Sequence, residues 1–247
     1  MPLRVLALCG FTQNAHIYSK QLGAIRKTCK DVDFGTGFHT LTRLFIVDLR
    51  HHPVFLEPPH VVEKADMPWT RNMNEFDSDA TTDKEEQTAE TTPRAWTFAS
   101  EDRSVYRKFD ETIQYWHEFL VKEPPFDGIM GFSQGACMAA ILAALVNKHL
   151  PSKKRNFAEK MVVQLETPRL HPLFPPDPPL PKFKFLISVG GFLPAPKNLE
   201  DWFPLPSSLP TLHIIGRNDT IVTAERSQTL IDQCKSARVE FHEGGGP

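Results

Sequence analysis

The stretch GIMGFSQGAC, residues 128–137, places Ser133 between two glycines at the end of an apolar run. Residues 131–135 fit the pattern G-x-S-x-G, in which a sharp strand-to-helix turn presents a serine hydroxyl above a sheet. Glycine is required two positions to either side, because larger side chains there would collide with neighbouring backbone. The pattern predicts that Ser133 is a nucleophile, and the alternative is a serine that only caps the following helix.

Strands and helices alternate on both sides of this turn. Continuous apolar runs are typical of strands buried on both faces, and stripes at three- and four-residue spacing are typical of amphipathic helices. The alternation predicts an α/β fold with a mostly parallel central sheet and helices on both faces. The predicted strands are 4–11, 54–62, 126–132, 183–192, 211–219 and 237–245, and the predicted helices are 15–29, 103–123, 133–150 and 224–234.

Composition limits the function classes. With 247 residues, of which 40% are apolar, residues 1–247 suit a single domain with a substantial core. The net charge of −2 gives no electrostatic reason to expect nucleic acid or an anionic membrane as a partner. The N-terminus resembles a buried strand more than a signal peptide, and no run is long enough to span a membrane. We therefore expect a cytoplasmic protein.

Cofactor motifs are absent from the sequence. The four cysteines are scattered without a CxxC pair, so zinc is not expected, and Cys9 and Cys137 lie in apolar runs typical of buried thiols. There is no HExxH, no P-loop and no complete dinucleotide fingerprint. We predict neither a metal nor an organic cofactor.

A nucleophilic serine requires an acid and a base further along the chain. In this type of site the order is serine, acid, histidine. Asp219 follows the apolar strand TLHIIG, where the acid is expected, and the alternative is an ordinary turn or helix-capping aspartate. The one histidine beyond it is His242, whereas His213 and His149 lie in a strand and at a helix end, where structural roles are expected.

With these residues in place, the sequence resembles the fungal serine hydrolase family of α/β-hydrolases. That family includes the hydrolase domain fused to dihydrofolate reductase in some fungi, an ovarian-tumour-associated animal relative and polyketide-releasing thioesterases. The resemblance implies Ser133 as nucleophile, Asp219 as acid, and oxyanion donors from Gln134 and from the loop at Phe11 and Thr12. The resemblance extends over nearly the whole chain and rests on the stretches RVLALCGFTQNAHIYSKQLGAIRK, FLEPPH, RAWTF, PFDGIMGFSQGACMAA, FKFLISVGGF, PTLHIIGRNDTIV and HEGGG.

Two departures from the family pattern concern the site itself. Cys9 stands where the family has a histidine before the glycine of the oxyanion loop. The family ends its last strand in H-x-G-G-H, and the final histidine is the catalytic base; here Gly246 occupies that position. His242 lies four residues before it and is the alternative base. The helix that closes the family fold is also absent, so we expect the chain to be a poor hydrolase.

A third departure is an apparent insertion at residues 35–53. Removing these 19 residues would join the flanking segments into one ordinary strand, and we interpret them as a translated intron. His39, His51 and His52 resemble a metal-ligand cluster, yet would then have no function. Residues 77–93 are polar and acidic, which predicts a mobile surface loop, and the proline-rich residues 168–182 predict an extended connector.

These features predict a hydrolase of carboxylic esters or acyl thioesters that acts through a Ser-His-Asp acyl-enzyme mechanism. One alternative is a catalytically impaired ligand-binding module on the same scaffold, suggested by Gly246. Another is a thioesterase that releases an acyl group from the carrier domain of a polyketide or fatty-acyl synthase.

Overall fold

A seven-stranded sheet forms the centre of the computed structural model, and each pairing between its strands is parallel. The structure describes residues 3–23, 32–33, 54–63, 66, 88, 90–148, 171–175 and 178–244. The strands are β1 (Leu3–Leu8), β2 (Val32–Asp33), β3 (Val54–Leu56), β4 (His60–Val61), β5 (Arg94–Ala95), β6 (Phe98–Ala99), β7 (Tyr106–Arg107), β8 (Gly128–Phe132), β9 (Phe185–Val189), β10 (Thr211–Gly216) and β11 (Ala237–His242). The order across the sheet is β11-β10-β9-β8-β1-β2, with β3 also paired to β1, while β4–β5 and β6–β7 form two small antiparallel ladders.

Helices cover both faces of the sheet, as predicted. Alternate residues of β1 enter two separate cores: Leu6 packs on one face and Ala7 on the other. This alternation follows from the two-residue period of a strand. The helices are α1 (Ala15–Gln21), α2 (Phe109–Lys122), α3 (Gln134–Lys148) and α4 (Ala224–Ile231), with a 3₁₀ helix at Lys197–Trp202.

The strand beside β1 is formed by two pieces of chain in one continuous register. Asp33 of β2 pairs with Arg4, and Val54 of β3 pairs with Leu6. Only Val5 of β1 lies between these two positions, so one residue would connect the pieces, whereas the sequence places residues 34–53 there. The proposed insertion at 35–53 lies outside the described residues, as do His39, His51 and His52.

Helix α2 begins later than the sequence pattern predicts. Residues 103–108 are not helical: Tyr106 and Arg107 pair with β6, and Lys108 has a left-handed φ of 60°. Val105, which the pattern assigned to the apolar stripe, is 54% exposed. The prediction was wrong here because spacing alone does not reveal that a ladder with β6 competes for these residues.

The segments predicted to be a mobile loop and an extended connector are both anchored in their described parts. At the end of the acidic segment 77–93, the buried Asn14 side chain donates to the carbonyls of Glu90 and Thr92, at 2.9 and 3.1 Å. In the proline-rich segment, Phe174 is fully buried in the larger core. Each anchor ties a connection to the framework that positions the site.

Candidate active site

The proposed site residues lie at the carboxyl ends of four strands of the sheet. Ser133 follows β8, Asp219 lies in the loop after β10, Phe11 lies in the loop after β1, and His242 is the last residue of β11. Because these strands are parallel, their carboxyl ends meet at the same edge. This is the edge at which open α/β sheets bind ligands.

Backbone contacts force the sharp turn at Ser133. Its φ is 50°, a left-handed value that a non-glycine residue rarely adopts, and its N–H donates to the Val189 carbonyl at 2.8 Å. A Cβ added at Gly131 would lie 2.2 Å from the Gly135 carbonyl oxygen. A Cβ at Gly135 would lie 2.2 Å from the Leu8 carbonyl oxygen. Both glycines are therefore required for α3 to begin directly above β1.

The first turn of α3 supplies the first candidate oxyanion donor. The Ser133 carbonyl accepts from the N–H groups of Ala136 and Cys137, at 2.9 and 3.2 Å. The first N–H groups of a helix have no partner within the helix. At Gln134, the first residue of α3, the N–H is therefore available to stabilise negative charge that develops beside the serine.

The second candidate donor lies in the tight loop after β1. Gln13 closes this loop: its N–H donates to the Gly10 carbonyl at 3.2 Å, and its side-chain oxygen accepts from the Gly10 N–H at 2.9 Å. Thr12 has a left-handed φ of 66°, and Phe11 packs edge-to-face against Phe98. These contacts hold the Phe11–Thr12 backbone in one conformation beside the elbow.

Asp219 lies close to the backbone that holds the serine. Its Oδ1 accepts from the N–H groups of Ile221 and Val222, at 2.9 and 2.8 Å. Its Oδ2 would be 3.8 Å from a Cβ placed on Gly190, the residue after the Val189 carbonyl that binds Ser133. One carboxylate oxygen therefore orients the side chain, and the other lies near Gly190.

His242 does not join this pair. Its Nδ1 accepts from the N–H of Gly244 at 3.1 Å, and the ring lies beside Gly216. A triad base would donate from this nitrogen to the acid. Among the described residues, His242 shares no hydrogen bond with Asp219 or Ser133. Gly246, where the family pattern has its base, lies outside the described ranges.

Burial keeps the cysteines near the elbow from acting as nucleophiles. Desolvation raises the pKa of Cys137 to about 12, and it raises the pKa of Cys9 well above its ordinary value. Both thiols therefore remain protonated at neutral pH. The sequence prediction of two buried thiols is confirmed, because both residues are fully buried.

Arg226, on α4, was not anticipated from the sequence. Its guanidinium lies 3.7 Å from the centre of the Phe192 ring, and it donates to the Ile221 carbonyl at 3.2 Å. Burial and the nearby Arg103 lower its pKa. Arg226 thus binds the same loop that Asp219 orients. Only the three-dimensional packing reveals this role, since nothing in the helix pattern AERSQTLI distinguishes it.

The described ranges hold no group of three or more His, Cys, Asp or Glu side chains that could bind a metal ion. Within the same ranges, no helix has the length and apolarity that a membrane crossing requires.

A parallel sheet flanked by helices, with a strained serine at the carboxyl end of its central strand, defines an α/β-hydrolase. Comparison with known families agrees: residues 1–246 match the model of the family described as Serine hydrolase (FSH1). The chain belongs to this family and is a serine hydrolase. This confirms the fold and the enzyme class predicted from the sequence, while the roles of the individual site residues stay predictions.

Two curated relatives match along nearly the whole chain. The chain is 27% identical over 245 residues to a protein named dihydrofolate reductase from Schizosaccharomyces pombe, covering 98% of this chain but 43% of that relative. It is 29% identical over 254 residues to human Esterase OVCA2, covering 99% of this chain and 88% of the relative. The chain therefore spans less than half of the first relative and most of the second.

Solved structures agree at the level of the fold. Zea mays acyl-protein thioesterase 2 superposes with a TM-score of 0.53 at 15% identity, covering 100% of this chain and 87% of its own. Esterase PE8 superposes with a TM-score of 0.53 at 17% identity, covering 100% and 89%. At this level of identity the similarity establishes the α/β-hydrolase fold alone.

Proposed function

We propose that the protein cleaves carboxylic esters or acyl thioesters through an acyl-enzyme formed on Ser133. The observation that supports this most directly is the left-handed φ of Ser133, enforced by the backbone around Gly131 and Gly135. Such strain persists only where the surrounding structure imposes it, and it is concentrated at functional sites.

In the proposed reaction, the Ser133 Oγ attacks the substrate carbonyl carbon while a base takes the hydroxyl proton. The carbonyl oxygen becomes an anion that accepts hydrogen bonds from the Gln134 N–H and the Phe11–Thr12 loop. Collapse of this intermediate breaks the bond to the alcohol or thiol, which leaves with the proton from the base. Water then attacks the acyl-enzyme in the same way and releases the carboxylic acid.

The base in this scheme is a histidine whose Nδ1–H donates to the Oδ2 of Asp219, which lies near Gly190 and has no hydrogen bond to the described residues. His242 is the alternative, but its Nδ1 already accepts a hydrogen bond from Gly244. We infer that a histidine at the position of Gly246 would be the natural base.

A second candidate function is ligand binding without turnover. One observation favours it: the Nδ1 of His242 already accepts a hydrogen bond from the Gly244 N–H and is not available to donate to Asp219. On this scaffold the oxyanion donors would still bind a carbonyl or carboxylate oxygen, and no covalent step would follow.

Labelling with a fluorophosphonate probe separates the two functions. The hydrolase proposal expects a covalent adduct on Ser133, identified by peptide mass spectrometry, and loss of the adduct in Ser133→Ala. It also expects hydrolysis of p-nitrophenyl butyrate that disappears in Ser133→Ala. Absence of any adduct in both the unsubstituted chain and Gly246→His would refute a nucleophilic Ser133, and binding of short carboxylates without turnover would support the second function.

A further inference from the structure

We propose that the Gln134 side chain and the Trp96 indole are positioning residues that fix the two halves of the oxyanion hole relative to each other. The inference rests on the hydrolase function proposed above. One half of the hole is the N–H of Gln134 at the start of α3. The other half belongs to the Phe11–Thr12 loop after β1, so the two donors lie on separate elements of the fold.

The Gln134 side chain fixes the first of these elements. Its Oε1 accepts from the backbone N–H of Trp96 at 3.1 Å, and its Nε2 donates to the backbone carbonyl of Thr97 at 2.8 Å. Both ends of the amide therefore bind the backbone of one neighbouring segment. With both ends of its amide hydrogen-bonded, the Gln134 side chain is restrained from rotating. The Gln134 backbone N–H, the candidate oxyanion donor, is restrained with it.

Trp96 connects this segment to the second element. The residue is fully buried, and its indole Nε1 donates to the Cys9 carbonyl at 2.9 Å. That carbonyl belongs to the peptide that also carries the Gly10 N–H, so its orientation sets the direction in which the loop leaves β1. The Trp96 carbonyl in turn accepts from the Thr112 hydroxyl on α2.

These bonds form a brace, defined as the Gln134 side chain, the Trp96–Thr97 backbone and the Trp96 indole. It connects the start of α3 to the end of β1. Tight packing of Gly135 against the Leu8 carbonyl sets how closely the two elements approach. The brace sets their relative orientation, which packing at a single glycine does not determine.

The orientation matters because an oxyanion donor acts only when it lies about 2.7–3.1 Å from the developing charge. A displacement of about 1 Å at a reacting group costs on the order of a hundredfold in rate. Weakening the brace should therefore lower kcat, with little effect on KM, because the hole contributes mainly in the transition state.

The test uses Gln134→Leu, which leaves the backbone donor in place and removes both side-chain bonds. Trp96→Phe removes the bond to Cys9, and Gln134→Glu keeps the acceptor for the Trp96 N–H while removing the donor to Thr97. Gln114→Leu on α2 is the matched control, because the Gln114 amide donates to the Glu118 carboxylate nearby on the same helix. Thermal melting shows which variants are folded.

The readout is the rate on two aryl butyrates that differ only in having a carbonyl or a thiocarbonyl group. Sulfur is a weak hydrogen-bond acceptor, so the hole contributes little to cleavage of the thionoester. We expect Gln134→Leu to lower kcat on the oxygen ester about ten- to hundredfold, with a much smaller loss on the thionoester and KM within about twofold. Trp96→Phe should show a smaller loss with the same preference, Gln134→Glu should show a loss at least as large as Gln134→Leu because its carboxylate faces the Thr97 carbonyl, and Gln114→Leu should show none.

An equal loss on both esters, or no loss on either, would overturn the brace while leaving the hydrolase function intact. If neither the unsubstituted chain nor Gly246→His reacts with the fluorophosphonate or cleaves either ester, the proposed function fails and the brace fails with it. If Gln134→Leu does not fold, the oxygen-to-sulfur rate ratio of Trp96→Phe decides the question.

Discussion

The turn at Ser133 after β8 and the residues that follow β11 both lie at the carboxyl ends of the sheet's strands, but they are held in different ways. Gly131 and Gly135 are enclosed by backbone atoms, and Ser133 donates to the neighbouring strand. By contrast, β11 is an edge strand whose residues are mostly exposed. The nucleophile is therefore fixed by the core of the protein, whereas Glu243, after β11, is held at the surface by the Asn218 amide at 2.6 Å and the Arg217 guanidinium at 3.0 Å.

The polar contacts show the same difference. The Ser133 N–H bonds to Val189 on β9, a strand more than fifty residues away along the chain. The His242 side chain bonds to Gly244, two residues away. A long-range bond to a buried strand persists unless the core opens, while a local bond between exposed groups exchanges readily with water. We therefore expect the two regions to respond differently to substitution.

The largest effect should come from adding a methyl group to the elbow. Gly135→Ala would place its Cβ 2.2 Å from the Leu8 carbonyl oxygen, which is backbone and cannot move aside. We expect a loss of more than about 4 kcal/mol in the free energy of unfolding, measured by urea denaturation. In Gly244→Ala the new Cβ would meet the exposed His242 ring at 2.8 Å, and the ring can rotate away. Comparable losses in both variants would contradict the comparison.

The next effect concerns the base. Gly246→His should raise kcat for p-nitrophenyl butyrate about a hundredfold, the low end of the contribution of a general base, because it places a histidine where the family pattern has its base. His242→Ala should leave the rate of the unsubstituted chain within about twofold. If His242→Ala instead abolishes turnover, His242 is the base and the assignment of the position of Gly246 is incorrect.

A smaller effect concerns the buried histidine on β10. Burial lowers the pKa of His213 on β10 from its ordinary 6.5 to about 4, while its Nε2 bonds to the Thr211 hydroxyl at 3.1 Å. Below pH 6.5 the His213 imidazole binds a proton in the unfolded chain but stays neutral in the folded chain. The contribution of His213 to the free energy of unfolding is therefore fully present above pH 6.5 and is lost as the pH falls towards 4.

Between pH 7 and pH 4.5 the loss from His213 should be about 2–3 kcal/mol, and His213→Gln should remove that part of the pH dependence. The free energy of unfolding from urea titrations at both pH values measures it. An unchanged pH dependence in His213→Gln would show that the protonation of other groups dominates.

The smallest effect tests the interrupted strand beside β1. Deleting residues 35–53 leaves Phe34 as the single residue between Asp33 and Val54, which the register opposite Val5 requires. Because a shorter connection loses less entropy on closing, we expect the free energy of unfolding to rise by about 1–2 kcal/mol. A fall in the melting temperature would mean instead that these residues contribute to the folded structure.

Much of the fold was predictable because its signals are local. The strand–turn–helix around Ser133 follows from apolar periodicity and two glycines, and the buried strands appear as continuous apolar runs. The start of α2 was not predictable, because the pairing of Tyr106 and Arg107 with β6 competes with a good helical pattern. Arg226 and the brace were not predictable either, since each depends on contacts between segments far apart in sequence.

The sequence by itself determined the enzyme class: a serine between two glycines, an acid after a later strand, and a family pattern over nearly the whole chain. It also located the departure at Gly246, because a missing side chain is visible without coordinates. Tertiary structure alone decided which groups face one another: the free oxygen of Asp219 near Gly190, the Nδ1 of His242 bonded to Gly244, and the Gln134 amide bound to Trp96 and Thr97. The physical reason is that residue types specify which chemistry is possible, whereas distances of about 3 Å between atoms on separate strands arise only when the whole sheet has packed.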